Sequence, residues 1–213
     1  MSMTKAIIFD MNGVLIDDEH IHELAFGKVL LNYGVKISHD DYQKICAGKT
    51  DRAGFEELAK TYKIPIDPDA AILEKGKYYL SLFPSQKRTF LGAIELVRAL
   101  SQKYVLALTS SAVKDEVELI LQTFKIRELF KTIVSAEDVE HGKPDPEPYL
   151  LTARKLGLSP KDCVAIEDSP SGIHSAIASG MTCLAITTTH SKEELKQANQ
   201  IFQSFAEIQT FLL

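Results

Sequence analysis

The chain has 213 residues, 45% of them apolar and 25% charged, with a formal net charge of −5. That length allows one or two domains with a sizeable core, and the composition is that of an ordinary globular protein. The acidic balance argues against a broad nucleic-acid surface, and no apolar run approaches the ~20 residues of a membrane span. The N-terminus, MSMTKAIIFD, carries one Lys and moves directly into a strand-like run, without a secretory core and cleavage site. Cys46, Cys163 and Cys183 are odd in number, far apart and form no metal or redox motif. A reducing, cytoplasmic location is expected, with a small-molecule partner, no nucleic acid, no membrane and a monomer as the default state.

In chain order, AIIF (6–9) has the length and β-branched content of a strand. Residues 17–85 then hold HIHELAFGKVLLNYG, HDDYQKICAG, RAGFEELAKTY and PDAAILEKGKYYLSLF, which all read as helices with no strand between them. PSQKRT (84–89) reads as the return linker of this insertion. Such a segment is too long for a loop and suggests a lid or cap. Helix and strand alternate thereafter. AIELVRALSQ (93–102) places Ile94, Val97 and Leu100 on one side, and YVLAL (104–108) is a strand. VELILQTF (117–124) is a helix, TIV (132–134) a strand, PYLLTARKLG (148–157) a helix and CVAI (163–166) a strand. Ser169-Pro170 opens a further helix that Gly180 closes, and TCLAI (182–186) is the last strand read. The pattern predicts an α/β protein. Its core is a doubly wound parallel sheet from residues 1–16 and 86–213, with an all-helical cap domain from 17–85.

Open α/β sheets bind ligands beyond the carboxyl ends of their strands. Here those ends carry Asp10, Thr109-Ser110, a loop with Lys143 (HGKPDPEPY) and Glu167-Asp168. Asp10 can attack phosphorus, Ser110 can hydrogen-bond phosphate oxygens, and Lys143 can neutralise the phosphoryl charge. Asp10, Glu167 and Asp168 supply the hard oxygen ligands that Mg²⁺ prefers.

The motifs FDMNGVLID, LALTSS, GKPDPEPY and AIEDSPSGI, in this order over essentially the whole chain, resemble those of the haloacid dehalogenase (HAD) superfamily. The likeness is to its branch of β-phosphoglucomutase and sugar-phosphate phosphatases, with the helical cap after the first motif. The resemblance implies a Rossmann-like core. It makes Asp10 the nucleophile, Ser110 the phosphate-binding hydroxyl (a role Thr109 could share, with Ser111 beside them) and Lys143 the phosphate-stabilising lysine. Asp168 and the main-chain carbonyl of Asn12 would hold Mg²⁺, with Glu167 either touching the ion or standing behind its ligands.

One position departs from the family. Its phosphatases and mutases have an Asp two residues after the nucleophile, which protonates the leaving oxygen; this chain has Asn12. Such acid–base help is worth roughly 10²–10⁴-fold. Four accounts stand. Asn12 is a substitution introduced to trap substrate, or another group moves the proton, or the substrate has a good leaving group, or the protein binds without turnover. For the second account His22 is the candidate, because related mutases carry a His at this spacing. Asn12-Gly13 is also a pair open to deamidation, which would leave an aspartate there.

Other segments have plainer readings. CAGKT (46–50) has neither the first glycine nor the preceding strand of a phosphate-binding P-loop. It is either a turn that points Lys49, Thr50 or Arg52 at a substrate or a solvated helix start. DDE (17–19) reads as acidic residues opening a helix, in preference to extra metal ligands. His20 and His22 face different sides of theirs, and His141 shapes the lysine loop, which Pro144, Pro146 and Pro148 stiffen. Gly172, Ala176 and Gly180 are read as allowing close helix–sheet packing. The expected function is a Mg²⁺-dependent phosphohydrolase acting on a small phosphorylated metabolite, a sugar phosphate, through a phospho-aspartate on Asp10. The alternatives are a phosphomutase, a dehalogenase and a catalytically impaired binder of phosphorylated metabolites.

Overall fold

The computed structural model describes residues 4–47 and 49–213. They divide into two compact units: the residues up to Asp17 together with Arg88–Leu213, and Asp18–Lys87.

The first unit is built on a parallel sheet. Its strands are β1 (Ala6–Phe9), β2 (Val105–Thr109), β3 (Phe130–Val134), β4 (Cys163–Glu167), β5 (Thr182–Ile186) and β6 (Gln200–Phe202), in the order β3-β2-β1-β4-β5-β6. AIIF lies at the centre because all four of its residues are buried and both its edges are paired, Ala6 to Val105 on one side and to Cys163 on the other. One face of the sheet carries mostly small side chains: Ala6, Ala107, Cys163, Ala165, Cys183 and Ala185. They let helices α7 (Glu147–Leu156) and α8 (Pro170–Ala178) lie close, bringing in Tyr149, Ala153, Ile173 and Ala176. The strand period of two sends Ile7, Phe9, Leu106, Leu108, Ile166 and Leu184, all buried, to the opposite face.

Helices α5 (Ala93–Leu100), α6 (Lys114–Thr123) and α9 (Phe205–Leu212) complete the unit. As expected, Ser169 caps α8, accepting from Gly172 N–H at 3.1 Å, and Gly180 (φ +89°) follows its end. β6 and α9 went unread. QIF is too short to show a period, but α9 announces itself in SFAE (204–207), the Ser-x-x-Glu pattern of a helix start. The Ser204 hydroxyl accepts from Glu207 N–H at 3.3 Å, and the Glu207 carboxylate accepts from Gln203 N–H at 3.0 Å.

The second unit holds α1 (Glu19–Leu31), α2 (His39–Ile45), α3 (Asp51–Tyr62) and α4 (Pro68–Gln86) around Phe26, Val29, Leu30, Tyr42, Phe55 and Leu58. Lys75 is buried here. Its ammonium is held by Asp51 at 2.8 Å and lies 5.6 Å from the Phe26 ring centroid. The PSQKRT linker begins later than its composition suggested. α4 continues through Pro84 to Gln86, its last turns anchored by the buried Phe83. A proline this close to a helix end removes one hydrogen bond without stopping the turn. Among the described residues no helix is long and apolar enough to cross a membrane.

Beyond β3, Ser135 donates from its backbone N–H and its hydroxyl to Asp138, at 2.9 Å each, and Lys155 of α7 adds a third bond at 2.7 Å. Partial burial opposes the Asp138 charge, but these donors outweigh it and draw its pKa down to about 2. A carboxyl depressed by folding stabilises the fold above its unfolded value and loses that contribution as pH falls through the folded one. Discounted for solvent exposure, the contribution is about 1 kcal/mol. Urea unfolding should therefore show Asp138→Asn less stable than the parent by about that amount at pH 7, the gap closing as pH falls from 4 to 2.

Candidate active site

The strand order runs out in opposite directions from β1 and β4, so a crevice opens beyond their carboxyl ends. Asp10 is the first residue past β1, and its N–H donates to Ile166 O of β4 at 3.0 Å. That bond sets it beside Glu167 and Asp168, and carboxylate oxygens of all three residues lie within 4.8 Å of one another. Lys143 reaches in from the β3–α7 loop. Its Nζ donates to Asp10 Oδ1 at 2.6 Å, to Glu167 Oε1 at 2.6 Å and to the Thr109 carbonyl at 3.2 Å. Ser110 N–H pairs with Val134 O, its hydroxyl accepts from Ala112 N–H at 3.1 Å, and it stands 3.5 Å from Asn12 Oδ1. Asp10, Asn12, Ser110, Lys143, Glu167 and Asp168 are thus brought together; Ser111 is exposed.

The electrostatics follow from burial. Asp10 is pushed up to about 7 by desolvation, with Glu167 adding to the rise and Lys143 opposing it. Asp168 is raised well above the carboxylate range by desolvation and by its two acidic neighbours. Burial also works against the charge on Lys143, but Asp10 and Glu167 outweigh it and lift the ammonium above its ordinary range. Three buried carboxylates face one ammonium, an excess of negative charge that a hard cation relieves. The donor set fits Mg²⁺ through Asp10 and Asp168. Glu167 is already engaged. It is fully buried, and Oε1 accepts from both Lys143 and Tyr149 OH, the latter at 2.6 Å, while Oε2 takes Asp168 N–H and Ser169 OH at 3.3 Å each.

Two glycines make room for this cluster. A Cβ on Gly172 would stand 2.1 Å from the Glu167 carboxylate, and one on Gly13 would stand 2.0 Å from Asp168 Oδ2. Gly172 therefore shapes the site, beyond the packing role its sequence suggested. Gly13 also has φ +79°, and its N–H donates to Ile16 O at 2.9 Å. The nitrogen that deamidation of Asn12 would need is held in that bond, so the native loop opposes the reaction.

Thr109 is a correction. Its hydroxyl turns into the core and pairs with Thr152 at 2.7 Å, leaving only its carbonyl to the site, because the strand's alternation points its side chain away. Tyr149 and Thr189 were missed. Tyr149 lies in the segment read only as a helix; the signal was its place in the lysine motif. Thr188 and Thr189 lie just beyond β5, the one strand read from sequence whose end went unread.

The other expected residues belong to the helical unit. His22 Nε2 lies 3.3 Å from Asp18 Oδ2, and its ring stacks on Tyr79 at 4.7 Å. Asp18 opens α1 without capping it; its carboxylate takes Tyr79 OH instead, at 2.5 Å. In CAGKT, Gly48 lies outside the described residues, Lys49 is exposed, and Thr50 caps α3, accepting from Ala53 N–H at 3.3 Å. Arg52 pairs with Asp69 and, at 4.0 Å, with Glu56.

Known proteins share this architecture. The profile of the haloacid dehalogenase-like hydrolases matches residues 7–186. Validoxylamine A 7′-phosphate phosphatase of Streptomyces hygroscopicus subsp. limoneus is 30% identical over 97% of this chain and 96% of its own length. Fructose-1-phosphate phosphatase of Escherichia coli is 28% identical over 84% and 95%. The crystal structure of CbbY from Rhodobacter sphaeroides, in complex with phosphate, superposes with a TM-score of 0.86 at 25% identity, covering 97% of this chain and 96% of that one.

Because the Gly172 position is filled by the Glu167 carboxylate, Gly172→Ala should lower stability by about 1–3 kcal/mol, as overpacking does. Thermal unfolding beside Gly142→Ala, where a Cβ meets nothing within 4 Å, isolates that effect.

Proposed function

The chain belongs to the haloacid dehalogenase-like hydrolases, and we propose that within that family it is a Mg²⁺-dependent phosphohydrolase of small phosphorylated metabolites, with sugar phosphates as the substrate class. The observation that carries the reading is the Asp10 carboxylate 2.6 Å from the Lys143 ammonium in the crevice between β1 and β4. The phosphatase relatives, matched over nearly their full lengths, support it.

In this reading Asp10 attacks the substrate phosphorus, the bond to the leaving oxygen breaks, and water later releases phosphate from the aspartyl-phosphate. Lys143, held by Glu167, keeps its proton and balances charge on the transferring group. Ser110 donates its hydroxyl to a phosphoryl oxygen, with Ser111 beside it, and His22, Lys49 and Arg52 are proposed contacts from the helical unit, acting as a cap. When bound through Asp10, Asp168 and the Asn12 carbonyl, Mg²⁺ supplies the charge neutralisation that lets a phosphate dianion approach buried carboxylates.

The leaving oxygen needs a proton, and the Asn12 carboxamide cannot give one. An aryl phosphate has a good leaving group and needs that proton least. The chain should therefore release phosphate from an aryl phosphate when Mg²⁺ is present, and Asp10→Asn should abolish this. Activity that survives Asp10→Asn sinks the reading. On sugar phosphates Asn12→Asp should raise the rate by about 10²–10⁴-fold, with a smaller gain on the aryl ester. Equal rates for both proteins would pass the proton step to another group, His22 first.

A further inference from the structure

The loop that leaves β5 does more than close the sheet. Thr188 and Thr189 reach from it to two separate parts of the acidic crevice. The Thr188 hydroxyl donates to the Gly13 carbonyl at 2.5 Å, in the turn that follows Asp10. The Thr189 hydroxyl bonds Asp168 Oδ2, the carboxylate oxygen that also fills the space beside Gly13. Neither threonine belongs to the four strand-end motifs.

Hydrogen-bond logic orders the Thr189 contact. In the ionised form that binds a metal, the Asp168 carboxylate only accepts, so the single Thr189 proton goes to it. The same hydroxyl oxygen lies 2.8 Å from His190 Nδ1. With its proton committed, Thr189 can only accept there, so His190 carries its hydrogen on Nδ1. A directed chain results, from His190 N–H to Thr189 O–H to Asp168. It orients a buried carboxylate to which, among the described residues, no cationic side chain is bonded, unlike Asp10 and Glu167, which share Lys143.

We propose that Thr189 is a positioning residue for the metal: its hydroxyl, oriented by His190, fixes the Asp168 carboxylate so that the other oxygen is presented to Mg²⁺. Thr188 holds the opposite wall, the Gly13 turn, in register with it. The proposal rests on the metal reading given above. Partners that orient metal-binding carboxylates typically contribute 10–100-fold in affinity.

The test is Mg²⁺ binding, read by titration calorimetry and by the metal-induced rise in melting temperature, with no substrate present. Asp168→Asn serves as the control for the metal reading. Thr189→Val keeps the shape and deletes the hydroxyl, and Thr189→Ser restores it. The expected result is loss of Mg²⁺ binding in Asp168→Asn, binding about tenfold weaker in Thr189→Val, and recovery in Thr189→Ser, with the metal-free melting temperatures of the two Thr189 variants close to the parent's. His190→Gln should weaken binding by a smaller factor in the same direction. If Asp168→Asn still binds, the assignment of the metal to these carboxylates fails. If Asp168→Asn loses the ion while Thr189→Val binds as tightly as the parent, the positioning role is overturned and the metal reading stands. Weaker binding in Thr189→Val that Thr189→Ser does not restore also overturns it, since packing then accounts for the loss.

Discussion

The site depends on one ammonium group placed between two carboxylates. Lys143 is almost wholly buried, as are Asp10 and Glu167, and none of the three charges is stable there alone. Truncating Lys143 leaves both carboxylates unpaired in a buried crevice, a loss of several kcal/mol in comparable buried pairs. The surrounding structure reads as a set of accommodations to this trio. Tyr149 gives Glu167 a neutral donor, and burial beside two carboxylates holds its phenol far above the ordinary range, so the donor is always present. Gly172 leaves the volume Glu167 occupies, and Gly13 leaves the volume of Asp168. The sheet order supplies the rest, because only adjacent β1 and β4 set Asp10 against Glu167 at bonding distance from a common lysine.

The α/β framework was legible because it is written in local terms. Apolar runs of strand length alternate with 3.6-residue periods, and the polar residue that ends each run lies where a parallel sheet exposes its strand ends. Asp10, the Thr109-Ser110 pair, Glu167 and Asp168 could be picked out by that rule alone. What could not be read depends on partners distant in sequence. Nothing local distinguishes Tyr149 from any aromatic on a helix's inner face, nor Gly172 from a packing glycine, until the Glu167 side chain is in place. Thr109 and Ser110 are adjacent and chemically alike, and only the pleat decides which hydroxyl faces the crevice. Pro84 misled in the other direction, since composition marked a linker where the helix runs on to Gln86.

The helical unit is joined to the sheet by a narrow stem. Ile16 and Thr89 form an antiparallel bridge, and Asp17 N–H donates to Arg88 O at 3.2 Å, so the chain leaves and re-enters the α/β unit through neighbouring residues. This bears on how the sheet forms. β1 must find β2 across about a hundred residues, as the pairing of Ala6 with Val105 requires. Once the helical unit has condensed on its own core and its stem has closed, the flexible span shrinks to about thirty residues, and the closure entropy falls by about 1 kcal/mol. A slow, non-local pairing becomes a moderately local one. Where the insertion condenses first, a substitution that loosens the Phe26–Phe55 core should delay the meeting of β1 and β2, although it touches neither strand.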